Sequence, residues 1–318
     1  MATYTRADIY AAAEELSNWG RWGENDQVGT LNNVTPENRI EAARLVRTGQ
    51  VFALGLDLKQ KIQSGLFGGR WNLIHQMLAT GTDAVAGVQD GDGTKYLRYA
   101  DDAINMPCQG STQWDALCHI FIDDKMYNGY PATDVTVNGA ARLGIENMRD
   151  KMVGRGVLLD VARWKGVDCL EDGYAITAAD LDGCAAAQGV AVRKGDFVIV
   201  RTGHQERCLA SGDWSGYAGG DAPGLAFDTA WWIRRLDIAA ICADTWGCEV
   251  RPNECAEANQ PWHWVVIPAI GVSMGEIFYV KDLAEDCAGD GVYEFLFVAP
   301  PLNLPGGAGS PINPQAIK

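Results

Sequence analysis

Hydrophobic residues fall in two rhythms along this chain. Short unbroken aliphatic runs predict buried strands at Gly156–Val161 (GVLLDV), Asp196–Arg201 (DFVIVR), Ile238–Ala243 (IAAICA) and Tyr293–Ala299 (YEFLFVA), and Val51–Leu58 (VFALGLDL) reads as another. Between and before them lie stretches with helical spacing. An amphipathic helix is predicted over 6–17. A second starts at Thr35-Pro36-Glu37, a capping residue followed by Pro at the first helical position, and runs to about Gly49. Thr177 caps a helix to Gly189. Phe227–Asp237 places Phe227, Ala230 and Trp231 on one face, with Arg234 and Arg235 in its last turn, and Lys281–Asp290 is the last helix.

Strands and helices that alternate in this way predict an α/β fold with one continuous core. No linker-like shift in composition divides the chain, so residues 1–318 are read as one domain. Residues 1–50 form a helical N-terminal extension, and 303–318 an extended C-terminal arm rich in Gly and Pro. Such an arm suits wrapping of a neighbouring subunit, which predicts a homo-oligomer. The region 60–110, rich in Gly and Asp, fits neither rhythm; a flap, a dimer arm, or plain surface loops with short strands all remain open.

Composition removes several classes of function. The chain is 47% hydrophobic and 21% charged, which excludes disorder. Its 26 Lys and Arg against 41 Asp and Glu give a formal charge of −15, which opposes nucleic-acid binding. No apolar run approaches the roughly 20 residues of a membrane span. The first residues, MATYTRADIYAAAEEL, lack the basic and apolar regions of a signal peptide. The nine cysteines are odd in number and show no C-x-x-C spacing, so free thiols in a reducing, cytoplasmic setting are expected.

The usual nucleotide and zinc-protease motifs are missing. The glycine-rich stretch 65–69 lacks the Lys of a phosphate loop. Gly271-Val272-Ser273-Met274-Gly275 has the spacing of a nucleophile elbow, but every histidine precedes Ser273, whereas the elbow's His follows it. With only four histidines, the search for chemistry narrows to two places. One is Gln109-Gly110-Ser111-Thr112-Gln113-Trp114-Asp115-Ala116-Leu117-Cys118-His119, a polar cluster with Asp and His four apart. The other is Trp262-His263-Trp264, thirteen residues before Glu276. Asp115, His263 and Glu276 brought together would make a site for a hard-to-borderline divalent cation. A buried His paired structurally with an acid is the alternative.

The first of these stretches is similar to the signature H-x-G-T-H-x-D-x-x-x-H of the cyclase family that includes bacterial kynurenine formamidase and isatin hydrolase. The signature's Thr falls on Thr112, its Asp on Asp115 and its last His on His119, while its first two His fall on Gln109 and Gln113. The family's later His and Glu ligands fall on His263 and Glu276. The chain most resembles a longer branch with a W-G-x-x-x-x-x-G-T-L-N element (Trp22–Asn32), a T-Q-W-D core and a G-S-P-x-N-P-x-A-I tail (Gly309–Ile317).

The resemblance implies a mixed-sheet domain of the swivelling β/β/α type. It also implies a hydrolase of a small amide, formamide, cyclic amide or lactone, acting through a metal-activated water. His119 would be the general acid/base. Asp115, His263 and Glu276 would hold one divalent cation, Mn or Zn, with Gln113 as an optional oxygen ligand. Because two glutamines replace imidazoles, a metal-free lyase, cyclase or isomerase in which Gln109 and Gln113 grip a carbonyl is the rival. Trp114, with the tryptophans beside His263, is expected to wall the site for a cyclic or aromatic substrate. Thr112 and His204 are expected substrate contacts, and His75 a core or interface residue.

Overall fold

A computed structural model describes residues 4–64 and 68–318. Part of the glycine-rich stretch 65–69 therefore lies outside the described residues. The centre of the molecule is a nine-stranded sheet. In chain order its strands are β1 (Val51–Ala53), β2 (Gln113–Asp115), β3 (Val153–Asp160), β4 (Phe197–Arg201), β5 (Ala240–Ala243), β6 (Ser273–Glu276), β7 (Glu294–Val298), β8 (Gly309–Pro311) and β9 (Gln315–Ile317). Across the sheet they run β1-β9-β7-β3-β4-β5-β6-β2-β8. The four central strands, β3 to β6, are parallel; every pairing outside them is antiparallel. This is the expected mixed-sheet α/β domain.

The aliphatic runs become β3, β4 and β5 because parallel strands are covered on both faces, and β4 and β5 are buried at every position. Besides the short helices Gly81–Val85 and Val161–Trp164, the helices are α1 (Arg6–Leu16), α2 (Pro36–Ala43), α3 (Ala178–Ala187), α4 (His204–Ser211), α5 (Thr229–Leu236), α6 (Pro261–Val265) and α7 (Lys281–Asp290). Thr5, Thr35 and Thr177 close reciprocal caps with Asp8, Asn38 and Asp180. The predicted second helix ends six residues early. After Ala43 the chain turns so that the Thr48 and Gly49 amides donate to the Lys318 carbonyl, at 3.1 and 2.7 Å. The predicted first strand keeps only its first three residues.

The tail arm and a core place for His75 are corrected, and Ser273 is, as expected, no nucleophile elbow. The tail is not a free arm: β8 pairs with β2, and β9 lies between β1 and β7, so both strands complete the chain's own sheet. Lys318 anchors the end on Asp286 and Asp290, at 2.7 and 2.9 Å. Ser273 sits in mid-strand with its hydroxyl against the Met148 sulfur, which removes the nucleophile-elbow reading. His75 is exposed and paired with Asp102 at 2.8 Å, on a hairpin (Ile74–Ala79 with Asp101–Asn105) that stands apart from the main sheet. All nine cysteines are free, as expected.

The element Trp22–Asn32 docks onto the end of the helical segment before β6. The Thr30 amide donates to the Gly271 carbonyl at 2.9 Å, and its hydroxyl to Ala239 at 2.8 Å. Gly29 has φ of +58°, and a Cβ there would strike the Gly271 carbonyl. Only glycine satisfies both conditions.

Candidate metal centre

Strand geometry builds most of the site. Side chains of successive residues point to opposite faces of a sheet, so Gln113 and Asp115 share one face and Trp114 takes the other. The antiparallel register sets Gln113 opposite Glu276, and Asp115 opposite Met274. Residues directly opposite share a face, which brings the Glu276 carboxylate to Gln113 and Asp115. The fourth member, His263, comes from α6. One atom each of Asp115, His263 and Glu276 lie within 4.8 Å of one another, and all three residues are buried.

Hydrogen bonds fix the group. Gln113 Nε2 donates to Glu276 Oε2 at 2.6 Å and more weakly to Asp115 Oδ1 at 3.4 Å. His263 is oriented by Glu249, whose Oε1 meets Nδ1 at 2.5 Å and accepts the His263 amide at 3.2 Å. The other Glu249 oxygen accepts from the Trp262 amide and from Asn253 Nδ2. With Nδ1 held there, Nε2 faces Glu276 Oε1 at 3.4 Å. A carboxylate behind a ligating imidazole fixes its orientation and tautomer. His119 Nε2 stands 3.7 Å from Asp115 Oδ1 at the rim, the least enclosed side chain of the group.

The charges are unusual for a buried place. Burial is the main cause that raises the Asp115 pKa well above the carboxylate range, and the neighbouring Glu276 adds to it; His263 and Arg70 pull the other way. Burial opposes a charge on His263, but the bonds to Glu249 and Glu276 outweigh it and raise the ring to about 10. Burial, with Arg70 and His263 nearby, lowers His119 to about 3.

This donor set fits a divalent cation. Two buried carboxylates side by side are costly unless a positive charge joins them. Gln113 Oε1 is a buried acceptor without a hydrogen-bond partner among the described residues. Two carboxylates and one imidazole suit Mn²⁺ or Zn²⁺, and turning over the Gln113 amide, whose Nε2 faces Glu276, would add its oxygen.

The expected wall of tryptophans is corrected. Trp114 is fully buried on the far face, where its indole donates to the Ala299 carbonyl at 2.8 Å and packs on Phe278 and Phe297. Trp262 is core, bonded to the Thr229 hydroxyl, and Trp264 lies under Arg6. Thr112 also faces away. Its hydroxyl donates to the Ile277 carbonyl at 2.6 Å and accepts the Leu56 amide at 2.8 Å, so it joins strands rather than substrate. His204 does not join the cluster. It begins α4, stacks on Tyr217 at 5.3 Å, and lines a separate cavity of about 620 Å³ with Arg207 and Asp172. Gln109 does reach the site face: its Nε2, buried and without a hydrogen-bond partner, lies over Gly309, which is opposite Asp115 in register.

Glu249 is the residue that sequence reasoning missed. It is one of 41 acids, fourteen positions before His263, in a turn with no pattern of its own. Glu249→Gln is expected to weaken cation affinity by roughly 10–100-fold, read by titration of Mn²⁺ into the protein; unchanged affinity would remove Glu249 from the centre.

Comparison with known proteins shows the family and the fold. Residues 56–250 match the family model described as "Putative cyclase", a stretch that includes Asp115, His119 and Glu249. A crystal structure described as a novel cyclase is 40% identical, with a TM-score of 0.86, covering 95% of this chain and 99% of the other. Isatin hydrolase A from Labrenzia aggregata, bound to benzyl benzoate, is 18% identical, with a TM-score of 0.60 over 89% of this chain and 98% of its own, a likeness of fold. A predicted metal-dependent hydrolase from Bacillus stearothermophilus is 17% identical, with a TM-score of 0.50 over 84% and 97%. No curated protein gives a significant match. Among the described residues, no helix is long and apolar enough to cross a membrane. On the family match and the 40% identical relative together, the chain belongs to the cyclase family.

Proposed function

We propose that this protein is a metal-dependent hydrolase of a small amide, formamide, cyclic amide or lactone. The observation that carries this reading is the buried convergence of Asp115, His263 and Glu276 beside the open Gln113 oxygen. The fold neighbours, isatin hydrolases and a predicted metal-dependent hydrolase, support it. When bound, a divalent cation supplies polarisation of an acyl carbonyl and acidifies water.

The chain's own residues do the rest. Asp115, Glu276 and His263 Nε2 supply the donors, and Glu249 holds the imidazole in register. His119 stands at the rim, within reach of a reacting water. Burial keeps its ring neutral and so free to accept that water's proton, Asp115 Oδ1 at 3.7 Å faces the charge that then forms, and the ring returns the proton to the leaving nitrogen or oxygen. Gln109 Nε2, a buried donor on the same face, is placed to hold the substrate carbonyl. Screening N-formyl amines, cyclic amides and lactones with Mn²⁺ or Zn²⁺ supplied tests the reading. Turnover that disappears with chelator and returns with the cation is expected; chelator-insensitive turnover would favour the metal-free lyase, cyclase or isomerase. Chelation is also expected to lower Tm, because a ligand at 100 times its Kd stabilises the fold by about 2.7 kcal/mol.

The protein is further proposed to be a homo-oligomer, now through the hairpin region rather than the tail. Met77, Leu78, Val85, Val88, Leu97 and Ile104 are all more than half exposed there. A two-stranded hairpin is marginal in water without a packing partner. Light scattering on the eluting protein is expected to give twice the chain mass or more, and Leu78→Glu to shift it toward the monomer. A monomeric wild type would contradict this.

A further inference from the structure

Gln260 leads into α6, three positions before His263, on a backbone that favours glycine: φ is +52° and ψ +55°. Its side chain takes no part in capping the helix. Glu249 accepts the Trp262 and His263 amides instead, at 3.3 and 3.2 Å. Asn253 holds the turn: its Oδ1 accepts the Gln260 amide at 3.0 Å, and its Nδ2 donates to Glu249. The turn brings the Gln260 side chain to the cation site. Its Nε2 stands 3.5 Å from His263 Nε2, the ring nitrogen that faces Glu276. A Cβ at Gly247 would lie 2.8 Å from Gln260 Nε2 and 4.0 Å from Glu276 Oε1, so the glycine leaves room for the amide beside both donors.

We propose that Gln260 is a further donor to the cation, and that its amide oxygen biases the centre toward Mn²⁺ over Zn²⁺. The proposal rests on the metal-dependent reading and adds one residue to it. Asp115, Glu276 and His263 already make the three-donor set that a Zn²⁺ site with an open position needs. Mn²⁺ takes more donors and suits carbonyl and carboxylate oxygen. Gln113 gives its oxygen only by releasing two bonds, to Glu276 at 2.6 Å and to Asp115 at 3.4 Å. Gln260 releases one, the 3.5 Å contact with His263, which is the single hydrogen bond its side chain makes among the described residues. A cation on His263 Nε2 takes the lone pair that this contact uses, so turning the Gln260 amide over then costs nothing more.

The test is calorimetric titration of Mn²⁺, and separately of Zn²⁺, into chelator-treated and dialysed protein. Gln260→Gly removes the amide and suits the left-handed backbone, so the fold is expected to persist. It is expected to weaken Mn²⁺ binding by roughly 10-fold or more, at least what loss of an outer partner of a ligand costs, and Zn²⁺ binding by clearly less. Gly247→Ala keeps Gln260 but places a methyl group where its amide lies, and the far end of that flexible side chain gives way. It is expected to lose Mn²⁺ affinity in the same direction. Mn²⁺ affinity within a few-fold of wild type in Gln260→Gly, or equal losses for the two cations, would overturn the proposal and leave the metal-dependent reading standing. A wild type that binds neither cation would overturn both.

Discussion

Replacing His119 by Ala is expected to lower turnover by about 10²–10⁴-fold, the usual loss when a positioned general acid/base is removed. The size follows from the double duty assigned to one ring. It accepts a proton on attack and donates it to the leaving group, and no other imidazole of the cluster has a nitrogen left for that work. His263, the neighbouring ring, is committed on both nitrogens, to Glu249 and to Glu276. Because His119 lies at the rim, 3.7 Å from Asp115, its removal leaves the three converging donors intact. The variant is therefore expected to keep its cation content while losing activity. Activity near that of wild type would end the assignment of His119. Loss of metal together with activity would make it a ligand instead.

Glu276→Ala is expected to act at the earlier step and abolish cation binding. Glu276 is the hub of the cluster: one oxygen accepts from Gln113 Nε2 at 2.6 Å and the other faces His263 Nε2 at 3.4 Å. Deleting it removes a direct donor and half of the central negative charge. The loss of affinity should exceed the roughly 10–100-fold that an outer partner such as Glu249 costs. Asp115 alone then neighbours the imidazole, and Gln113 loses its principal partner. Titration of Mn²⁺ and Zn²⁺ into the folded variant reads the effect. Affinity within a few-fold of wild type would show that the cation, if bound, sits elsewhere.

The sequence made the core strands plain and hid the strands that carry the site. β3, β4 and β5 are continuous aliphatic runs because both faces are buried. β2 and β6 are only three and four residues long and turn Gln113, Asp115 and Glu276 toward one another, so their polar side chains mask them as strands. The same alternation, applied to Thr112 and Trp114, would have sent both to the opposite face from Asp115. The tail misled for a related reason. Its Gly and Pro suggest an arm, but β8 and β9 are defined by long-range pairing with β2, β1 and β7, which no local pattern reports. The convergence of Asp115, His263 and Glu276 was legible, since a chain with four histidines and an Asp, His and Glu on a family signature leaves few alternatives. Glu249 was not, because its contact with His263 exists only in the folded chain.

The central claim is that Asp115, His263 and Glu276 hold one divalent cation despite the glutamines at 109 and 113. Elemental analysis of protein purified without added metal or chelator, and again after supplying Mn²⁺ and Zn²⁺, tests it most directly. About one Mn or Zn per chain is expected, matching the single cluster of converging donors found among the described residues. No bound metal under either condition would contradict it, and would leave the pocket to acid–base chemistry by His119 and Asp115 without a cation.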